Sequence, residues 1–383
     1  MRIGIDARWM FRDVVNTQFA LLGTLLRQNA RNPYDASFVL YTDQVRELAP
    51  REQGGNVTVR CLKSLKLGNG ERHSSLVEDL WWFERALPAT LSADGITVFV
   101  SPYYRAPRAA MPVINMVHDL SFLVLPRDLL PDHLQGSFKR GVLRRMHQFY
   151  CRNVASHTVT VSEYSKQCVV ERLRMAPDRV SVCYNGVDTD LLAAAREQAD
   201  QHAPPPAGSY LLYVGYNSPN KNLAGLLRAY ALLPASLRAA NPLVLHTKPG
   251  DERRIIEDEG LDSVRYSSDH LSRASLASLV AGARALVLVS HDEGFGMPAI
   301  EAMAAGVPVV VSRGGALAEV TQRSMIEVDP RDPGSIASGI ARAVGGVVSP
   351  EMRARCRGVA ARYSLQRTAD ALMEVIAPWS RAA

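Results

Sequence analysis

Cysteine is scarce. Five residues, Cys61, Cys151, Cys168, Cys183 and Cys356, are scattered through 383 positions without a C-x-x-C pair. An odd count at such spacings excludes a disulfide framework, a zinc ribbon or a dithiol redox centre. The cysteines are expected to be small buried apolar residues in a reducing compartment. Long apolar runs are missing as well: no stretch approaches the roughly 20 residues that cross a bilayer as a helix. Met1 leads straight into the strand-like RIGIDAR, without the regions of a signal peptide. Internal repeats and low-complexity tracts are absent too. These absences point to a cytosolic globular protein.

What is present is an ordinary globular composition, 47% apolar and 21% charged, in a chain long enough for two domains or more. The formal charge of +6 is uneven: residues 1–188 carry 24 Lys and Arg against 18 Asp and Glu, and the remainder carries 20 of each. Within the basic half, SFKRGVLRRMHQFYCR sets Lys139, Arg140, Arg144, Arg145 and Arg152 among Phe138, Val142, Leu143, Met146, Phe149 and Tyr150, with no acid. This spacing predicts a basic amphipathic helix. Its charges are either an ordinary solvated face or a dock for an anionic membrane through Lys139, Arg140, Arg144 and Arg145. No stacking aromatics or recognised module accompany them, so nucleic acid is set aside.

Strand-like and helix-like segments alternate along the chain. RIGIDA, ASFVLYT, NVTVRCL, ITVFVSP, PVINMVHDL, SHTVTVS and RVSVCYNG read as strands, with TQFALLGTLLRQ and SLVEDLWWFERALPATL as helices. After the polar, proline-rich REQADQHAPPPAGS the pattern restarts with YLLYVG, PLVLHT, SVRYSS, RALVLVS and VPVVVS separated by helices. The expected fold is α/β: two doubly wound Rossmann-like domains facing each other, with a ligand in the cleft at the carboxyl ends of their strands.

One stretch carries chemistry. In RALVLVS-HDEGFGM-PAIEAMAAG-VPVVVS, Pro298 stands where a first helical residue belongs and Gly306 with Pro308 ends the helix. Gly294, Phe295, Gly296 and Met297 therefore form a turn into a helix N-terminus, which favours a diphosphate. Glu293 precedes the turn and Glu301 lies about one helical turn inside. Ionised carboxylates only accept hydrogen bonds, and hydroxyls supply donors. A sugar and a ribose on either side of a diphosphate would satisfy both acids, so a nucleotide sugar fits. The same turn also matches G-x-G-x-x-A, a dinucleotide fingerprint, but it stands late in its domain. A dinucleotide-dependent oxidoreductase is the minor alternative.

These residues resemble the retaining glycosyltransferases of family 4, which have the GT-B fold. The signature is E-x7-E, here EGFGMPAIE, extended by AMAAGVPVVVSRGGALAEV. VHDLSFLVLP, VTVSEYSKQCV, RVSVCYNGVD and YLLYVGYNSPNKNL agree along the chain. The resemblance implies an acceptor-binding domain at 1–188, a linker at 189–209, a nucleotide-sugar domain at 210–363 and a C-terminal helix at 364–383 crossing back to the first domain. It also implies that Glu293 contacts the transferred sugar, Glu301 the ribose, Lys221 the donor diphosphate, and His118 the sugar and acceptor. The donor would be a nucleotide sugar such as GDP-mannose. The acceptor would be a lipid-linked or polysaccharide glycan at the inner face of the cytoplasmic membrane. The family needs no catalytic metal and no further cofactor, so the D-x-D at Asp188–Asp190 is expected to be structural.

Two departures stand out. The family's glycine-rich turn with an arginine after GIDAR is replaced by FRDVVNTQF, with Asn16 for the glycine and Thr17 for the arginine, and Asn220 replaces an arginine beside Lys221. Asn16 tolerates left-handed geometry, but a cation is lost. Lys248, or an arginine of the first domain, is the expected substitute. A catalytically silent homologue that binds a sugar nucleotide or a partner is the alternative these changes raise.

Overall fold

A computed structural model describes residues 1–8, 34–43, 56–63, 76–201, 210–267, 271–346 and 349–381. The predicted helix in TQFALLGTLLRQ and the Asn16–Thr17 turn lie outside these described residues.

The first sheet has seven strands: β1 Arg2–Asp6, β2 Ser37–Thr42, β3 Val57–Cys61, β4 Val98–Ser101, β5 Val113–Val117, β6 His157–Thr160 and β7 Val180–Val182. They are all parallel in the order β3-β2-β1-β4-β5-β6-β7. The second has six: β8 Leu211–Val214, β9 Leu243–His246, β10 Val264–Tyr266, β11 Ala285–Leu288, β12 Val309–Ser312 and β13 Ile326–Val328. Its order, β10-β9-β8-β11-β12-β13, is the same pattern with the same parallel pairing. In each sheet the order reverses beside the first strand, between β1 and β4 and between β8 and β11, and ligands bind at the carboxyl ends there.

Unbroken apolar runs are what a sheet covered on both faces requires. Leu212, Leu286, Leu288, Val309 and Val311 enter one core of the second domain, while Leu211, Tyr213, Ala285, Val287 and Val310 enter the other. The period of two sends neighbours to opposite faces. Cys151, Cys168, Cys183 and Cys356 are buried as well, on helices and just after β7. Cys61 is exposed instead, because it closes the edge strand β3.

The chain crosses between domains twice. Thr189–Gln201, which the sequence assigned to a linker beginning at 189, is a helix packed on the second domain. Leu192 and Ala195 enter its core, and Arg196 Nη1 donates to the Ala281 carbonyl at 2.8 Å. Asp188 Oδ1 accepts from Leu191 N at this helix's start, and its other oxygen pairs with Arg273 at 3.4 Å. The D-x-D thus begins with a helix cap. The return crossing runs beside it, with Val187 N donating to Tyr363 O at 2.8 Å. It leads to the helix Leu365–Ile376, whose Ala369, Leu372, Met373 and Ile376 join Ile3, Ile5 and Phe38 in the first domain's core. Each large side chain buried there contributes about 1.5–3 kcal/mol, so the first domain depends on the last helix of the chain.

Candidate active site

Three loops of the second domain are tied together by one buried side chain. Asn222, in left-handed conformation after the turn Pro219–Lys221, donates through Nδ2 to Val289 O at 3.0 Å and Pro330 O at 2.7 Å. The loops after β8, β11 and β13 are thereby held in register. On this frame Lys221 Nζ donates to Glu293 Oε2 at 2.7 Å, and Ser290 Oγ donates to Glu293 Oε1 at 2.8 Å. The Glu293 carboxylate is oriented by a cation on one oxygen and a hydroxyl on the other, while Lys221 keeps further N–H donors for an anion.

The glycines of the turn have structural duties that the sequence reading did not assign. A Cβ at Gly294 would collide with the His118 carbonyl oxygen of the first domain. The residue must be small because the domains meet there. Gly296 has φ +96°, and a Cβ on it would strike Leu317; it ends the turn before the helix Met297–Ala304. Phe295, placed among the donor-binding residues, is buried instead. Its ring lies 5.5 Å from that of Tyr363 and 6.4 Å from that of Tyr184. The ring anchors the turn where the chain crosses between domains, and any diphosphate contact of this residue falls to its backbone amide. Met297 packs partly on the same core.

Glu301 lies just past the first turn of that helix. It keeps partial access to solvent, yet the protein around it desolvates the carboxyl and pushes its pKa up to about 7, against a smaller opposing pull from Arg273. His118 closes the first-domain side. Its Nε2 lies 3.0 Å from the Pro102 carbonyl, which only accepts, so Nε2 carries the proton and Nδ1 is left as an acceptor. Burial lowers its pKa, keeping the ring neutral.

The structure therefore brings Lys221 and Glu293 together and sets Gly294 against the His118 carbonyl across the cleft. Lys248 is exposed on the loop after β9. Asn16 lies outside the described residues. Among the basic residues of the helix Ser137–Phe149, Lys139, Arg144 and Arg145 are exposed. Arg140 is already engaged: its guanidinium donates to the Phe122 and Leu125 carbonyls at 2.9 and 3.3 Å, securing the helix to the end of the short helix Ser121–Val124.

Sequence reasoning missed Asp292. Only 7% exposed, it accepts from Ser121 Oγ at 2.6 Å and Tyr164 OH at 2.5 Å, both in the first domain. Desolvation raises its pKa despite these two hydrogen bonds. Sequence shows an acid beside Glu293 but not the hydroxyls that face it. The turn after β12 was also passed over. Arg313 and Gly314 join Glu293, Ser290, Ser312 and Tyr164 around a cavity of about 90 Å³. A strand followed by Gly-Gly at a helix start was the available signal.

Two family descriptions match the chain: "Glycosyltransferase Family 4" over residues 24–191 and "Glycosyl transferases group 1" over residues 195–361. The O-antigen chain mannosyltransferase B of Escherichia coli is 28% identical over 251 residues, which cover 63% of this chain and 64% of that protein. The match thus spans less than two thirds of that relative's length. Sucrose-phosphate synthase from Thermosynechococcus elongatus superposes with a TM-score of 0.79 at 19% identity, covering 100% of both chains. Anabaena Alr3699/HepE, solved in complex with UDP-glucose, superposes at 0.71 and 16% identity, covering 99% of this chain and 100% of that one. At these identities the two structures establish the fold.

Proposed function

Because this chain belongs to glycosyltransferase family 4 and has the two-domain GT-B architecture, we propose that it moves a hexose, with mannose favoured, from a nucleotide sugar to a lipid-linked or polysaccharide acceptor. The observation that carries this reading is the Lys221–Glu293 pair at 2.7 Å, set at the carboxyl ends of the second sheet and one residue before Gly294, which meets the His118 carbonyl. Glu293 accepts hydroxyls of the transferred sugar, Glu301 those of the ribose, and Lys221 meets the charge that grows on the departing diphosphate. A fixed cation at that position lowers the barrier directly. Retention follows from a front-face substitution. The bond from the anomeric carbon to phosphate oxygen breaks, the bond to the acceptor oxygen forms on the same face, and the leaving phosphate oxygen takes the acceptor's proton. Lys221 and the helix N-terminus supply the positive field, so the proposal invokes no catalytic metal.

The test is a panel of nucleotide sugars scored first by melting temperature and then by transfer. At 100 times Kd a ligand specific for the folded state stabilises it by about 2.7 kcal/mol, roughly a 5–10 °C rise for a domain of this size. GDP-mannose is expected to give that rise and to be turned over. Nucleotide binding without turnover of any donor would favour the silent homologue instead.

The acceptor reading places the protein at a membrane surface. Phe138, 83% exposed, and Val142 stand on the outer side of the basic helix beside Lys139, Arg144 and Arg145. Basic residues near an anionic surface contribute about 1 kcal/mol each. The Arg144→Glu/Arg145→Glu variant is therefore expected to sediment with anionic liposomes at least about 30-fold less well, and wild-type binding to weaken as salt rises. Unchanged sedimentation of the variant would remove this helix as the dock.

A further inference from the structure

The residues on either side of Glu293 are held by the opposite domain. Asp292 puts one carboxylate oxygen on Ser121 Oγ at 2.6 Å and the other on Tyr164 OH at 2.5 Å. The Gly294 carbonyl accepts from Ser162 Oγ at 2.6 Å and Ser165 Oγ at 3.1 Å. Four hydroxyls of the first domain thus fix positions 292 and 294. The Glu293 side chain between them is held by Lys221 and Ser290 of the second. Its backbone takes its place from one domain and its carboxylate from the other.

A second contact closes the same seam. Both oxygens of Glu319 accept from the first-domain amides of Glu163 and Tyr164, each at 2.9 Å, at the start of the helix Glu163–Leu173. Free amides and the positive helix end favour a carboxylate there. Tyr164 is therefore engaged three times, through its amide with Glu319, its ring against Gly315 and its hydroxyl with Asp292. A buried carboxylate is stable only while its partners stay in place. If the domains part, Asp292 loses both hydroxyls and the Glu293 turn loses its first-domain supports.

We propose that Asp292, with Tyr164 and Ser121, is an interdomain clasp that positions Glu293, so that the reactive geometry exists only in the closed cleft. Asp292 is a positioning residue and Glu319 is the clasp's second anchor. The proposal rests on the transferase reading for its kinetic consequence, whereas its structural consequence stands independently.

The test uses the full chain and three variants, Asp292→Asn, Tyr164→Phe/Ser121→Ala and their combination, each read by small-angle scattering and by steady-state kinetics. Scattering is expected to show a larger radius of gyration than wild type for every variant. The kcat should fall 10- to 100-fold while donor KM and nucleotide affinity stay within about threefold, since both Asp292 oxygens are occupied by Ser121 and Tyr164 rather than open to a ligand. The combination should be little worse than Asp292→Asn, because all three break one unit. A purely structural contact would lower the melting temperature and leave that split unmoved. Wild-type scattering and kcat in Tyr164→Phe/Ser121→Ala, which only removes two hydroxyls, would overturn the clasp even if Asp292→Asn misfolds; so would kcat losses that multiply in the combination. If wild type transfers no sugar from any donor, the function proposed above fails, and the scattering alone decides the clasp.

Discussion

Glu293→Gln is expected to lower kcat about 10²–10³-fold, the loss typical when one oriented group facing the transition state is removed, with nucleotide affinity unchanged or slightly improved. The amide keeps the shape of the carboxylate and can still accept from Ser290. It has one acceptor atom instead of two, however, and no charge to hold Lys221. In wild type the ammonium is shared with Glu293 at 2.7 Å. Freed from that carboxylate, it is drawn to the diphosphate, which strengthens binding of a nucleoside diphosphate while the sugar loses its acceptor. Lys221→Met should lower kcat by a similar factor and weaken diphosphate binding. The double variant should be only slightly slower than either single one, because the pair acts as a unit. Steady-state kinetics with calorimetric titration of the diphosphate separates these effects. A Glu293→Gln enzyme with wild-type kcat would remove Glu293 from the site.

The second large effect is the pH dependence set by Glu301. Burial pushes this carboxyl up to about 7, so the folded protein takes up a proton relative to the unfolded chain between about pH 4.5 and 7. Stability contributed here is whole below the unfolded value and falls as pH rises towards 7, at about 1.4 kcal/mol per unit. Above pH 7 the full penalty, on the order of 3 kcal/mol, is present. Glu301→Gln should therefore match wild type in denaturant stability at pH 4.5 and exceed it by up to that amount at pH 8. Binding runs the other way. The ionised carboxylate accepts both hydroxyls of a ribose, so nucleotide affinity should rise about fivefold from pH 6 to 7 and about tenfold by pH 8, where it levels off, whereas the glutamine variant binds weakly at every pH. Parallel pH profiles for the two proteins would rule out a ribose contact at this residue.

Much of the arrangement was legible because it depends on local rules. The apolar runs at β11 and β12, Pro298 at a helix start and Gly306 at its end are steric and hydrogen-bonding signals, and the structure places strand, turn and helix there. The helix over Ser137–Phe149 was readable from its pattern, but Arg140's engagement with the Phe122 and Leu125 carbonyls was not. That contact depends on where the short helix Ser121–Val124 packs, which no periodicity encodes. The segment beginning at 189 was misjudged for a similar reason. Its later proline-rich stretch reads as linker, whereas Leu192, Ala195 and Arg196 are held by the second domain's core and the Ala281 carbonyl.

The amino-acid order alone determined the two parallel sheets and the turn that presents Glu293 and Glu301, since periodicity and capping are properties of neighbours in the chain; the role of Lys221 came only from what the family resemblance implies. Only the tertiary structure decided why Gly294 is glycine, why Phe295 is buried, and what Asp292 and Glu319 do. Those answers lie in the His118 carbonyl, Tyr363, Tyr164 and the amides at 163 and 164. Most of these partners stand more than 100 positions away in the chain, and only the meeting of the two domains brings them into hydrogen-bonding or van der Waals reach.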